Sequence, residues 1–177
     1  MDVFAEHGFR RTSMALIADA AGLSRPALYQ YFDNREDVFR AVIEAVHGDA
    51  ADAAAAALDE DGDLATRLAG YLHRGIGDGY GQLASMTHAA EILEATHEFA
   101  ADLAQAARER RRARLVVALR ETGASEPVVT SARRLLDLCP MGLKHDAPSA
   151  EEFADRLDDL ARSVALMVTT SVAELQA

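Results

Sequence analysis

The sequence predicts an all-α protein, and three observations carry that expectation. No stretch sustains the period-two alternation of apolar and polar residues that marks a half-buried strand. Ala, Leu, Arg and Glu, all good helix formers, dominate the 177 residues, while aromatic residues make up only 6%. Capping residues and glycines divide the chain into helix-length pieces. Half the residues are hydrophobic and only four are proline, so the chain can bury a core and is not compositionally disordered.

The opening segment divides into short helices. Residues 2–7 end at Gly8, a plausible helix stop. Thr12 or Ser13 caps a helix running to Ala21, and Gly22-Leu23 makes a tight turn. Ser24 then caps a third helix through Tyr31, with Pro26 in the first turn, where no intrahelical N–H is needed. Asp33 or Asn34 caps a longer fourth helix, whose first turn holds Glu36 and Asp37.

Beyond residue 50 the pieces lengthen. Residues 53–57 are all alanine, and the acidic stretch Asp59-Glu60-Asp61-Gly62-Asp63 breaks the helix after them. Helices are expected over 63–80, 82–95, 98–121, 125–138 and 150–175. The breaks between them fall at Gly81, His97, Thr122-Gly123 and a loop over 139–149. The last helix carries Phe153, Leu157, Leu160, Val164, Met167 or Val168, and Leu175 at intervals of three and four, one continuous apolar stripe.

Net charge is −11, which on its face argues against a nucleic-acid partner. The acid lies mostly elsewhere: residues 1–47 hold five arginines against seven acids, a net of −2. Phosphate binding depends on the field at the contacting face and not on the whole-chain sum. The single cysteine, Cys139, cannot form an internal disulfide, no apolar run approaches a membrane span, and residues 1–6 lack a basic leader. A cytoplasmic protein without membrane association is expected.

Residues 14–32 satisfy the demands of a helix-turn-helix. Ala18 is small enough for a close helix crossing, and Gly22 tolerates a left-handed turn. Ile17, Ala21, Leu23, Leu28 and Phe32 can lock the two helices, with Phe4, Phe9 and Met14 completing a small core. With Leu28 and Phe32 inward, Arg25, Ala27, Tyr29 and Gln30 fall on outer or flanking faces. Arg25 can reach a guanine or a phosphate, Gln30 can pair with adenine, and tyrosine hydroxyls can donate to phosphate oxygens. The N–H groups near Thr12-Ser13 and Ser24-Arg25 can also receive phosphate.

The stretch GFRRTSMALIADAAGLSRPALYQYFDNREDVFRAVIEA closely resembles the N-terminal DNA-binding domain of the tetracycline-repressor (TetR) family. The matching marks are Gly8-Phe9, Thr12-Ser13, Ile17-Ala18, Ala21-Gly22, Ser24, Leu28-Tyr29, Tyr31-Phe32 and Arg35-Glu36. The resemblance implies a homeodomain-like helix-turn-helix domain over 1–47 and a helical effector-binding and dimerisation domain over 48–177. The family's first helix begins about ten residues earlier, so that helix is expected to be only partly present.

Phosphate contacts carry over to Thr12, Ser13, Tyr29, Tyr31 and Arg35, and Ser24 caps the recognition helix. Arg25, Pro26, Ala27 and Gln30 would approach bases. A homodimer would place residues 24–31 of each subunit in successive major grooves of a palindromic operator. A small-molecule effector would release it, making the protein a ligand-responsive repressor. By resemblance, 125–138 and 150–175 form the dimer interface, through Leu135, Leu138, Phe153, Leu157, Leu160, Val164 and Val168. The effector pocket is expected among Tyr71, Met86, His88, Ile92, Leu93 and Phe99.

Other chemistry finds little support. There is no Gly-x-Ser-x-Gly and no Walker-type loop, and no strand precedes Gly75-Ile76-Gly77-Asp78-Gly79. That glycine cluster reads as an interrupted helix, and the protein is not expected to be an enzyme. His88 and His97 with Glu91 and Glu94 lack metal-ligand spacing, so no metal or cofactor is expected. Arg108, Arg110, Arg111, Arg112 and Arg114 point in many directions around one helix and read as a solvated face partly paired with acids. The alternative is a helical dimeric adaptor or small-molecule-binding protein that does not bind an operator.

Overall fold

The computed structural model describes residues 1–176, which form helices α1 (Asp2–His7), α2 (Met14–Ala20), α3 (Arg25–Leu28), α4 (Arg35–Ala57), α5 (Leu64–Leu72), α6 (Asp78–Ser85), α7 (Ala89–Phe99), α8 (Ala101–Glu121), α9 (Glu126–Asp146) and α10 (Ala150–Gln176). No strand occurs among the described residues, and no helix among them is long and apolar enough to cross a membrane.

Local chemistry sets most of the boundaries. Ser13, Ser24 and Asp63 each accept a hydrogen bond from the backbone N–H three residues on, at Leu16, Ala27 and Thr66. Asn34 does the same for Asp37 N, at 2.8 Å, and so starts α4. The Asp63 carboxyl lies below its usual range because Thr66 donates to it from both backbone and hydroxyl.

Four boundaries depart from the sequence expectation. Helix α3 stops at Leu28, because Gln30 N and Tyr31 N bond the carbonyls three residues back, at Ala27 and Leu28, and tighten the last turn. Gly81 does not end a helix. The interruption falls instead at His73–Gly77, a π-type turn inside the glycine-rich stretch, and α6 continues to Ser85. The break between α7 and α8 is at Ala100, not His97. Helix α9 runs through Cys139 and Pro140, where a loop was expected, and only 147–149 connect it to α10. Pro140 gives up one backbone hydrogen bond, but it is buried together with Leu136, so packing outweighs propensity.

The chain forms two compact units. One comprises Met1–Gly48 with Gln82–Ala107, and the other Asp49–Gly81 with Arg108–Ala177. Helix α7 and its flanks thus cluster with the N-terminal helices. The first unit's core is built from Phe4, Phe9, Ile17, Leu28, Phe39 and Ile92, among others. The second is aliphatic, around Leu68, Leu72, Leu115, Leu119, Leu157 and Val164, with α10 packed against α5 and α9.

In the first unit Arg40 holds Asp102 through two parallel hydrogen bonds of 2.8 Å and also donates to Phe99 O. That charge-assisted fork is the main reason the Asp102 carboxyl is lowered to about 2, from an ordinary 3.8. An acid with a depressed folded value stabilises the fold above its unfolded value, and the contribution is lost as pH falls through the folded one. The melting-temperature gap between the wild type and Asp102→Asn should therefore be constant from pH 7 to 5. It should close as the pH is lowered from about 4 toward 2, in a pH series of thermal unfolding curves at fixed ionic strength.

Candidate nucleic-acid interface

The helix-turn-helix is built as local rules require. Gly22 adopts φ +66°, the left-handed conformation that lets the chain reverse between α2 and α3. The reversal is fixed by Leu23 N donating to Ala18 O at 2.9 Å and Gly22 N to Asp19 O at 3.0 Å. Ile17, Ala18 and Leu28 are buried beneath the turn, with Phe32 partly buried beside them. Ala21 and Leu23 are exposed and take no part in that lock.

The outer face carries the expected donors. Tyr31 is 75% and Tyr29 46% exposed, and Arg25, Pro26 and Gln30 are exposed beside them, with Ala27 half-buried. Arg25, Tyr29, Gln30 and Tyr31 make no side-chain hydrogen bond among the described residues, so each presents its polar atoms outward. Ser13 and Ser24 use their oxygens as acceptors in the caps, at 3.3 Å each, which leaves each O–H free to donate.

Thr12 and Arg35 are placed otherwise. Thr12 is buried, and its hydroxyl donates to Gly8 O at 2.7 Å, so it braces the turn between α1 and α2. Arg35 donates to the carbonyls of Arg10 and Thr12 at 3.0 and 3.1 Å and pairs with Glu36 at 2.9 Å. Its guanidinium lies 4.3 Å from the Phe9 ring centroid. That hydrogen bond from Arg35 lowers the Glu36 carboxyl. In this structure both polar side chains hold partners within the unit.

The sequence reading missed what holds the α1–α2 turn from α7. Arg10 pairs with Glu94 at 2.9 Å and gives its backbone N–H to Glu91. Arg11 reaches His88 Nε2 at 3.0 Å and His7 O at 3.1 Å. The contacts with Glu91, Glu94 and His88 join residues 81, 84 and 77 positions apart, and no local pattern announces them.

The six residues expected to line a pocket separate. Ile92 and Phe99 serve the first unit's core, Phe99 stacking on Phe9 at 5.1 Å. His88 is engaged by Arg11, Met86 is half-buried and Leu93 is exposed. Tyr71 belongs to the second unit's core. The expected dimer residues also divide. Phe153, Leu157, Val164 and Val168 are buried within the chain's own core, and Leu160 packs partly against it. Leu135 and Leu138 remain exposed, as do Met141, Leu166 and Leu175. Helical period identifies an apolar face but not what covers it.

Comparison with known proteins matches residues 1–42 to the model of bacterial regulatory proteins, tetR family. The HTH-type transcriptional repressor ComR of Escherichia coli is 43% identical over 44 residues, 25% of this chain and 21% of that protein. The HTH-type transcriptional activator FasR of Mycolicibacterium smegmatis is 40% identical over 43 residues, 24% of this chain and 20% of that protein. The matched stretch thus spans about a fifth of the length of either relative. Among solved structures, the TetR family regulator PfmR of Thermus thermophilus superposes with a TM-score of 0.56 at 22% identity, covering 90% of this chain and 92% of that one. The regulator FadR of Bacillus subtilis, solved with stearoyl-CoA, gives 0.59 at 19% identity, covering 94% and 92%. These likenesses extend the fold over nearly the whole chain.

A Cβ at Gly22 would meet nothing within 4 Å, so substitution there is opposed by backbone conformation alone. Gly22→Ala should cost about 1–2 kcal/mol in urea unfolding, and Gly22→Asn less, because Asn tolerates the left-handed region. Equal costs for the two would show that something other than φ governs the position.

Proposed function

We propose, from the match of residues 1–42 to the model of bacterial regulatory proteins, tetR family, that the chain is a homodimeric transcriptional repressor released from a palindromic operator by a small-molecule effector. The observation that carries the reading is the outward set Arg25, Tyr29, Gln30 and Tyr31 around a capped, glycine-turned helix pair. Arg25 and Gln30 stand where base edges would be read, with Pro26 and Ala27 against the groove. Tyr29, Tyr31, Ser13 and Ser24 supply neutral donors for phosphates. The matched domain is shared by a repressor and an activator, so the sign of regulation is not written in the helix-turn-helix itself.

The dimer is proposed to form on the apolar groups left outside the core on α9 and α10. Leu138, Met141, Leu166 and Leu175 are each more than three-fifths exposed, with Leu135 beside them. Successive major grooves lie about 34–36 Å apart, and an effector that favours another separation of the two α3 helices weakens binding. A coupling of about 1–3 kcal/mol changes operator affinity about 5–150-fold.

A duplex selected from random sequences by the purified protein supplies the test. Tyr29→Phe should weaken binding to all duplexes by about 0.5–1.5 kcal/mol. Gln30→Ala should relax preference at one base pair per half-site by about 1–3 kcal/mol. Affinity of the wild type should fall as salt rises. Selection of no preferred duplex, or affinity unchanged by both substitutions, would favour a helical adaptor over an operator-binding protein.

A further inference from the structure

The arginine run of α8 is more ordered than a solvated face. Arg110 lies 3.3 Å from Asp52, and Arg112 lies 3.0 Å from Asp137. Arg114 pairs with Asp59. Asp137 is also held by Arg133 at 2.8 Å, and its side chain is only 4% exposed, so its capacity is taken. Arg111 differs from these neighbours: it has no carboxylate partner among the described residues. Its guanidinium donates to Gly75 O and lies 5.6 Å from the Tyr71 ring centroid; its Nε is buried without a hydrogen-bond partner, a feature shared with Arg112 Nε and Arg114 Nη1.

Tyr71 repeats the anomaly at the same place. It is 1% exposed, and its buried hydroxyl makes no well-aligned hydrogen bond, although the Arg111 guanidinium reaches toward it. Burial raises its pKa against the opposing pull of Arg111, so it is a neutral O–H donor at physiological pH. The seat beside it is also shaped for the guanidinium. A Cβ on Gly75 would stand 2.8 Å from Arg111 Nη1 and 3.1 Å from the Ala54 Cβ, so a side chain there would displace the guanidinium from its present seat. Gly75 sits within the π-type turn His73–Gly77, a form of helix irregularity that recurs at functional sites.

A partly buried cation without a counter-charge and a buried hydroxyl without a well-formed hydrogen bond each weaken a fold. Here the two converge on one point of the second unit, around a guanidinium flanked by arginines that are each paired. We propose that Arg111 and Tyr71 form an acid-binding point, where the carboxylate of a monoanionic effector with an apolar body accepts hydrogen bonds from the Arg111 guanidinium and the Tyr71 hydroxyl. One unpaired positive charge matches one negative charge, and two convergent donors match two carboxylate oxygens. Leu68, Leu72 and Leu115 of the same unit form its aliphatic core. This rests on the reading that the second unit takes an effector.

The test is thermal unfolding of the full chain with octanoate against 1-octanol and benzoate against benzyl alcohol, at matched ionic strength. At least one carboxylate should raise the melting temperature of the wild type by about 2–4 °C or more over its alcohol. Tyr71→Phe should reduce that shift and Arg111→Gln abolish it. Without additive, Arg111→Gln should melt no lower than the wild type, whereas Arg114→Gln, which breaks an ion pair, should melt lower. The proposal is overturned if neither carboxylate exceeds its alcohol, if Arg111→Gln responds as the wild type does, or if Arg111→Gln without additive loses as much as Arg114→Gln. No operator is needed for these readings. Sequence-selective duplex binding with no carboxylate response removes the acid point alone. A carboxylate response that leaves duplex binding unchanged retains the point and removes its role as an effector site.

Discussion

The first unit depends on the surroundings of a single ring, that of Phe9. It stands 6.0 Å from Phe4, 4.9 Å from Phe39 and 5.1 Å from Phe99, and its face receives the Arg35 guanidinium at 4.3 Å. The same guanidinium donates to the carbonyls of Arg10 and Thr12, closing the turn that leads into α2. A half-buried cation is tolerable there because two carbonyls, the Glu36 carboxylate and the ring face together replace its hydration. Ser13 and the whole helix-turn-helix follow directly from that turn, so their placement is inherited from it.

The mount and the reading face divide their chemistry. Arg10 and Arg40 are tied to Glu94 and Asp102, whereas Arg25 makes no ion pair among the described residues. Ser13, Ser24, Tyr29 and Tyr31, all exposed, add neutral hydroxyls. Such a face can hold a phosphate backbone through hydrogen bonds without a strongly basic surface. An acidic chain and a DNA-facing helix pair are therefore compatible, since the field that matters is the local one.

Legibility in the sequence followed the range of the interaction. The caps at Ser13 and Ser24, the left-handed Gly22 and the inward Leu28 are set by neighbours within a few residues, and the sequence shows them. Thr12 and Arg35 illustrate the opposite case. Their residue types suit phosphate equally well, and only Gly8 O and the Arg10 and Thr12 carbonyls reveal that they face inward. Helix α7 joins the N-terminal unit through Glu91, Glu94 and Phe99, partners of residues 9 and 10 that no periodicity connects. The α10 stripe was read correctly as apolar, but Phe153, Leu157 and Val164 face α10's own chain. A loop is the propensity-based expectation for 139–149, and the burial of Leu136 and Pro140 carries α9 through it.

Centrally, we propose that Arg35 serves to secure the mount of the helix-turn-helix, through the Arg10 and Thr12 carbonyls and the Phe9 ring, more than to hold a phosphate. Salt dependence of duplex binding by Arg35→Gln, measured below its melting temperature and alongside thermal unfolding, separates the two roles most directly. A structural Arg35 predicts a lowered melting temperature and a slope of log affinity against log salt equal to that of the wild type. An unchanged melting temperature, with a slope shallower by about 0.9 for each Arg35 withdrawn from a phosphate, would contradict it.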